Sequence, residues 1–342
     1  MSDKYTPLRW GILGAGGIAN RFSNDVKPLG DHKLIAVGSR DQSKADEFAN
    51  KYDIPNRHAS YEALCEDPEV DVVYVATPHN FHKEHTLLAL QNGKAVLCEK
   101  PFTINLAETK ILVEDARARG LFLMEGMWSR CFPLWVKVRE LLKAGEIGKP
   151  RMLISDFGFQ AGQTNDAGVL EGYNPKGRLF DPELGGGALM DVGVYPVSLA
   201  QSLFSGTPDQ IAGVATLGTT GVDENTGMLM RFPGGEVAVT STSIQTTTPW
   251  TATILGSAGK IEVENPWWTP KYATVYRSGK EPERLEMPYE GGTGFQFEAM
   301  HVADCLRAGK TESDIVSLDD SLCVMHILDT LRAQIGLKYP ME

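Results

Sequence analysis

Three polar side chains stand where chemistry could gather: Lys100 in Cys98-Glu99-Lys100-Pro101, and Asp191 and Tyr195 in Gly185-Gly186-Gly187-Ala188-Leu189-Met190-Asp191-Val192-Gly193-Val194-Tyr195-Pro196. A lysine fixed beside a proline in a cleft can hold a substrate oxygen. Asp191 and Tyr195 are i and i+4, so on a helix they share one face and point a carboxylate and a phenol at one ligand. Pro196 lacks an N–H and either kinks that helix or marks its true first turn. The three glycines let a helix start approach a ligand or another backbone closely. Each residue also has an ordinary alternative: Lys100 as a surface ion pair with Glu99, Asp191 as a cap, Tyr195 as a half-buried aromatic.

What turns these alternatives into a site is the start of the chain. Leu8-Arg9-Trp10-Gly11-Ile12-Leu13 reads as a short strand running into Gly14-Ala15-Gly16-Gly17-Ile18-Ala19. This is the G-x-G-x-x-A form of the dinucleotide fingerprint, with a strand before it and a helix after it. Gly14 permits the tight turn, Gly16 lets a pyrophosphate approach the main chain, Gly17 and Ile18 open the helix whose N–H groups face the anion, and Ala19 allows close helix packing. A ligand-free tight turn is the competing reading. Beside such a cofactor, the Lys100 hydrogen bond would serve hydride transfer to or from a nicotinamide.

The second strand, His32 to Gly38, ends at Ser39-Arg40. An NAD enzyme usually offers Asp or Glu there for the ribose 2′-hydroxyl, whereas a hydroxyl and a guanidinium suit a 2′-phosphate. NADP(H) is therefore expected. Lys44, four residues beyond Arg40, either adds charge to that pocket or is a solvated surface lysine, and Asp41 is the nearest competing acid.

These side chains need two kinds of scaffold. Up to about residue 125, short apolar strands alternate with helical segments such as His82 to Asn92 and Leu106 to Gly120, which implies a parallel, doubly wound sheet of Rossmann type. Beyond Gly148-Lys149-Pro150 consecutive strands follow, from Met152 to Phe159 through Ala273 to Tyr276, with Gly234-Gly235 and Ala258-Gly259 as hairpin turns. Helices are expected from about Gly187 to Phe204, Phe295 to Ala308 and Leu318 to Ile335. The expected fold is α/β: a first domain over 1–126 that binds NADP, and an α+β domain over 127–342 with a large, mostly antiparallel open sheet.

At the carboxyl edge of the parallel sheet, where ligands collect in such folds, Ala76-Thr77-Pro78-His79-Asn80-Phe81-His82 ends an apolar run. Pro78 stiffens the turn, Asn80 is placed to cap a helix starting near Phe81, and either histidine can be helix-start structure or a ligand contact.

Bulk composition narrows the function classes. The chain has 342 residues, 42% of them hydrophobic, and a formal net charge of −11, which argues against a nucleic-acid partner. No membrane span is visible, and the polar Met1 to Pro7 leads straight into the first strand without room for a secretion signal, so the cytosol is expected. Cys65, Cys98, Cys131, Cys305 and Cys323 are scattered among apolar neighbours and read as reduced core thiols rather than redox or metal groups. His79, His82 and His85 precede no matched set of acids or cysteines, so no metal is expected.

Together these residues resemble the Gfo/Idh/MocA oxidoreductases. The resemblance runs from the Gly14 turn through Glu99-Lys100-Pro101 to Gly185-Gly186-Gly187 with Asp191. Thr77-Pro78-His79, Glu125-Gly126-Met127-Trp128-Ser129-Arg130 and Arg178-Leu179-Phe180-Asp181-Pro182 carry a closer likeness to the branch of dimeric dihydrodiol dehydrogenases and NADP-dependent D-xylose dehydrogenases. Many members have histidine where this chain has Tyr195, and the tyrosine variant implies a Tyr–Lys pair. Tyr195 would then exchange the substrate hydroxyl proton, eased by the Lys100 ammonium. Asp191 would hold a neighbouring substrate hydroxyl or orient Lys100. The resemblance also implies cofactor contacts from Thr77, Pro78, His79, His82, Glu99, Lys100, Trp128 and Arg130, with Arg130 alternatively structural. It further implies a homodimer formed through the open face of the second sheet.

The leading expectation is an NADP-dependent dehydrogenase or reductase acting on a sugar, vicinal diol or related carbonyl. A glycosidase-like enzyme that retains its dinucleotide is the second reading and would show cofactor that co-purifies and never exchanges. A non-catalytic NADP(H) sensor is the third, disfavoured by the presence of Lys100, Asp191 and Tyr195 together. The loop from Gln160 to Leu184 would line the entrance, and Trp128, Trp250, Trp267 and Trp268 either stack on substrate or pack in the core.

Overall fold

A computed structural model describes residues 6–165, 170–204 and 206–342. The polar first residues up to Tyr5, residues 166–169 of the entrance loop and residue 205 lie outside that description.

In chain order the first elements are β1 (Leu8–Leu13), α1 (Gly17–Val26), β2 (His32–Gly38), α2 (Gln42–Tyr52), β3 (Asn56–His58), α3 (Tyr61–Glu66), β4 (Val72–Val75), α4 (His82–Gln91), β5 (Ala95–Glu99), α5 (Leu106–Arg119) and β6 (Leu123–Gly126). Buried apolar strands alternating with helices build a parallel six-stranded sheet in the order β3-β2-β1-β4-β5-β6. The order reverses between β1 and β4, so the loops after these two strands flank the switch point at which such sheets bind ligands.

The next elements are α6 (Pro133–Lys143), β7 (Pro150–Gly158), the short pair β8 (Gln163–Thr164) and β9 (Leu170–Glu171), α7 (Val194–Leu203), β10 (Gln210–Leu217), β11 (Asp223–Arg231), β12 (Val237–Ser243), β13 (Ala252–Gly256), β14 (Gly259–Val263), β15 (Tyr272–Arg277) and β16 (Glu283–Glu286). Eight of these strands form one sheet, β10-β11-β12-β7-β13-β14-β15-β16, antiparallel at every neighbouring pair except β7 with β12. One face packs under α7 and the turn before it, and buries Leu153, Met228, Met230 and Ala238. The other presents Val214, Leu229, Val239 and Ile154, which are 76%, 49%, 37% and 47% exposed. The chain ends with α8 (Phe295–Arg307) and α9 (Leu318–Ile335).

The chain forms two compact units, and they are not two consecutive stretches. The first comprises Met1–Cys131 with Glu290–Ser321, and the second Phe132–Tyr289 with Leu322–Glu342. Residues 290–321 thus belong with the first unit and not within a domain running from 127 to 342. The reason lies in α8: it packs against α1 and the turn holding Trp128, and its start is anchored by Asp25 of α1. No helix among the described residues is long and apolar enough to cross a membrane.

Candidate active site

In the first unit, the turn after β1 is built to approach something that the polypeptide itself does not supply. Gly14 has φ +101°, a conformation that side chains rarely adopt, and a Cβ there would press on the carbonyl oxygen of Ala76 at 3.3 Å. A Cβ on Gly16 or Gly17 would meet nothing within 4 Å, so open space lies before the first turn of α1. Gly16 occupies the N-cap without a side-chain hydrogen bond. The free N–H groups of that turn therefore face the space a pyrophosphate needs, and the residues fit a dinucleotide. Ile18 follows in the first turn, while Ala19 is fully buried against the sheet.

At the end of β2, Ser39 is buried and its Oγ accepts from the backbone N–H of Asp41 at 3.3 Å. Arg40 is exposed, with its guanidinium 5.9 Å from the centre of the Phe81 ring. It borders a cavity of about 690 Å³ also lined by Ser60, Tyr61, Phe81, His85 and Leu88. The carboxylate of Asp41 is engaged elsewhere: it caps α2, accepting from the Ser43 N–H at 2.9 Å and the Ser43 hydroxyl at 2.6 Å. Those bonds hold its pKa below the ordinary value. Lys44 is exposed one turn into α2, its N–H bonded to the Asp41 carbonyl.

Past β4, Pro78 precedes a 3₁₀ turn over His79–Phe81, and α4 then starts at His82. Asn80 therefore does not cap the helix as expected. Phe81 holds the cap position with no side-chain bond, because the tight turn already delivers the chain in helical geometry. His79 is buried. His82 is 1% exposed, with Nδ1 2.9 Å from the Pro101 carbonyl oxygen and Nε2 2.9 Å from that of Thr77. Burial pushes its pKa down to about 4 against the pull of both carbonyls, and the neutral ring, with one N–H, donates to one carbonyl while packing against the other between the loops after β4 and β5. The hydroxyl of Thr77 lies 2.9 Å from Nδ1 of His85, whose pKa burial and then the Arg40 charge lower to about 4.

Glu99 and Lys100 close β5 at the same edge. Glu99 is buried, accepts from the Tyr74 hydroxyl, and receives the Lys100 backbone N–H at 3.2 Å. Burial and the Glu99 charge lift the Tyr74 phenol well above its usual range, so it stays the donor. The half-buried Lys100 leads into Pro101. Behind Glu99 stands Glu298 of α8, wholly buried, with neither carboxyl oxygen hydrogen-bonded. Burial first, then the Glu99 and Asp25 charges, raise its pKa strongly. Trp128 stacks on Phe295 at 4.6 Å, and buried Arg130 pairs with Asp320 at 2.9 Å, a contact consistent with the structural alternative for that arginine.

In the second unit, the glycine triplet meets protein rather than open space. A Cβ on Gly186 would lie 2.7 Å from the Leu179 carbonyl oxygen, and one on Gly187, at φ +121°, 2.3 Å from Asp223 Oδ1. Asp223 is wholly buried, accepts from the Leu189 N–H at 2.8 Å and the Thr226 hydroxyl at 2.6 Å, and burial pushes its pKa up to about 6. The expected helix begins as a π-helical turn over Leu189–Gly193, and α7 follows from Val194. Pro196 follows closely on the π-turn within one continuous helical run, so it removes an N–H from the interior of that run. π-Turns are frequent at functional sites, and this one carries Asp191. Asp191 is buried and forms an ion pair with the exposed Arg178. Tyr195 is 6% exposed, its ring 5.3 Å from that of Phe157, which stacks on Trp268 at 3.6 Å. Trp250 and Trp268 are half-buried, whereas Trp267 is core and donates to the Asp156 carbonyl at 2.6 Å. Asp223, Asp25 and Glu298 lie outside every motif, since a buried acid looks like a surface acid in a one-dimensional pattern. Arg178 stands within a quoted motif, but its partnership with Asp191, thirteen residues away, is visible only in the fold.

Comparison with known proteins bears on both units. The model of an oxidoreductase family with an NAD-binding Rossmann fold matches residues 8–127, and that of the GFO/IDH/MocA C-terminal domain matches residues 135–262. The chain is 39% identical to trans-1,2-dihydrobenzene-1,2-diol dehydrogenase of Mus musculus, over 98% of this chain and 99% of the relative. It is 38% identical to the enzyme of that name in Xenopus tropicalis, over 97% and 99%. Among solved structures, a 3-ketoreductase from Actinomadura kijaniata in complex with NADP and TDP-benzene superposes with a TM-score of 0.81 at 25% identity, covering 96% of this chain and 98% of that one. An aldose-aldose oxidoreductase from Caulobacter crescentus shares the fold with a TM-score of 0.85 at 24% identity, over the same shares of the two chains. A nicotinamide-dinucleotide fold in the first unit and a matching second domain, with relatives aligned end to end, lead to one conclusion: the chain belongs to the Gfo/Idh/MocA family of oxidoreductases.

Proposed function

We propose that the chain is an NADP(H)-dependent dehydrogenase or reductase that interconverts a vicinal diol or sugar hydroxyl with the corresponding carbonyl. One observation carries the choice of cofactor. Arg40 is exposed at the end of β2 while the acid that follows it in the chain, Asp41, is occupied as a helix cap. A 2′-phosphate would meet a cation and a serine there instead of a repelling carboxylate. The open space at Gly16 and Gly17 supports the pyrophosphate position, and the names of the relatives support the diol.

When bound, the nicotinamide supplies the hydride acceptor or donor. Tyr195 is the proposed acid/base, taking the hydroxyl proton in oxidation and returning it in reduction, with Lys100 assisting and Asp191 holding a neighbouring hydroxyl. The Asp191–Arg178 pair supports that last role, because the guanidinium fixes the position of a carboxylate that can accept from a hydroxyl. Gly14, Gly16, Gly17, Ile18, Ser39, Arg40, Lys44, Thr77, Pro78, His79, His82, Glu99, Trp128 and Arg130 are the proposed cofactor set, of which His82 and Arg130 act chiefly by bracing loops.

A homodimer through the open sheet face is part of the same proposal. Leu229, Val239 and Ile154 sit opposite one another across β11, β12 and β7, with Val214 on the same face of β10. An apolar row of this kind on a sheet face calls for cover. Five buried cysteines fit a reducing compartment, and the cytosol is the proposed location.

The test is spectrophotometric: NADP⁺ reduction with dihydrodiols, pentoses and hexoses, run beside NADPH oxidation with dicarbonyls and keto sugars. Turnover with NADP⁺ on diols or sugars is expected. Turnover only with NAD⁺, or binding without turnover across the panel, would overturn the proposal.

A further inference from the structure

A second cluster of chemically competent side chains lies away from the dinucleotide edge, at the far end of α8. His301 and Cys305 are i and i+4 on that helix and share a face, and Asp314 arrives from the loop that leads towards α9. One donor atom from each, an imidazole nitrogen, a thiol sulfur and a carboxylate oxygen, lie within 4.8 Å of one another. Nε2 of His301 is 3.5 Å from Sγ of Cys305 and 3.6 Å from Oδ1 of Asp314.

Those separations match a metal polyhedron. A zinc ion about 2.3 Å from a thiolate and about 2.0 Å from an imidazole nitrogen, at the tetrahedral angle, spaces those donors about 3.5 Å apart. An imidazole and a carboxylate around the same ion stand about 3.3–3.4 Å apart, a small rotation of the exposed Asp314 from the observed distance. We infer that His301, Cys305 and Asp314 form a binding site for a divalent cation of zinc type, with water completing the set and the cation displacing the hydrogen bond that Nε2 of His301 makes with the Ser313 hydroxyl at 2.7 Å. The mixed nitrogen, sulfur and oxygen donors suit zinc over magnesium or calcium.

The surroundings supply an entry path and a brake. Cys305 is 2% exposed, so the sulfur is shielded, whereas Asp314 is 65% exposed at its side chain and opens the site to solvent. The Ser313 hydroxyl accepts from the N–H groups of Ile315 and Val316, which fixes the shape of the loop, and its contact with His301 holds that loop beside the helix. Lys310 occupies the other carboxylate oxygen of Asp314 at 3.0 Å. Its ammonium opposes a dication, so the site is expected to bind with moderated affinity and to tighten when Lys310 is removed. Binding would deprotonate the thiol and clamp the loop to α8.

The experiment uses the full chain, stripped with a chelator and titrated with Co²⁺ and then Zn²⁺. One equivalent of Co²⁺ should bind with a thiolate-to-metal charge-transfer band in the near ultraviolet, and Zn²⁺ should displace it. Cys305→Ser should abolish the band, and His301→Ala should weaken binding by more than the about 10–100-fold that loss of an outer-shell partner costs. Lys310→Ala should bind more tightly than the parent. Near-ultraviolet circular dichroism of each variant certifies the fold independently of metal. Absence of a stoichiometric band in the parent, or binding unaffected by Cys305→Ser and His301→Ala in folded protein, would overturn the inference and leave a hydrogen-bonded helix–loop tie.

Discussion

The proposed preference for NADP(H) rests on two neighbouring side chains doing opposite things. Arg40 reaches solvent, and Asp41 turns back onto α2. A hydrogen bond to a charged group is worth about 1.5–3 kcal/mol, so Arg40→Ala should raise KM for NADP⁺ by about 10–100-fold and leave KM for NAD⁺ almost unchanged. Steady-state kinetics with both cofactors check this, and an equal loss with both would remove Arg40 from the 2′-phosphate site. At Tyr195 the change is smaller in volume and larger in effect. Tyr195→Phe keeps the ring against Phe157 but removes the ionisable hydroxyl, and kcat should fall by about 10²–10⁴ while NADPH still quenches protein fluorescence at the parent concentration. Unchanged turnover would eliminate the phenol as acid/base.

Among the elements, α8 has the most consequential placement, because it carries a carboxylic acid into the first unit beside Glu99. Glu298 is wholly buried without a hydrogen bond, and burial together with the charges of Glu99 and Asp25 raises its pKa strongly. The folded chain therefore holds that proton more tightly than the unfolded chain does. The associated stability is complete below the ordinary glutamate range and is lost as pH rises through the folded-state value. Glutamine has no proton to lose. Glu298→Gln should consequently gain stability relative to the parent as pH rises from about 4 to about 8, whatever constant offset its amide introduces. Urea midpoints across that range test the point, and a difference independent of pH would mean that Glu298 titrates alike in the folded and unfolded chain.

For the whole molecule, the open sheet face is the feature to probe. Val214 and Leu229 stand on neighbouring strands, 76% and 49% exposed. Replacing both with lysine sets charge into a surface proposed to be dry in the dimer, with little to disturb in a single chain. Sedimentation velocity should show a dimer for the parent and a monomer for the double variant at the same concentration. A parent that already sediments as a monomer would refute the dimer.

Much of this organisation is legible in the residues. Gln210–Leu217 and Leu318–Ile335 form where their periodicity calls for a strand and a helix, and the glycine turn after β1 has the spacing its conformation demands. Alternation and spacing are local properties, fixed by backbone geometry over a few residues. Short polar edge strands such as Asn56–His58 and Glu283–Glu286 escape that reading, since they bury too little to impose a pattern. So do the assignment of α8 to the first unit, the capping of α2 by Asp41, and the pairing of Arg178 with Asp191. By itself the sequence determined the family, the two kinds of sheet and the residue types at the dinucleotide turn. Only the tertiary structure decided which acids are buried, which are engaged and which face solvent, because burial and pairing depend on residues that are distant in the chain and adjacent in space.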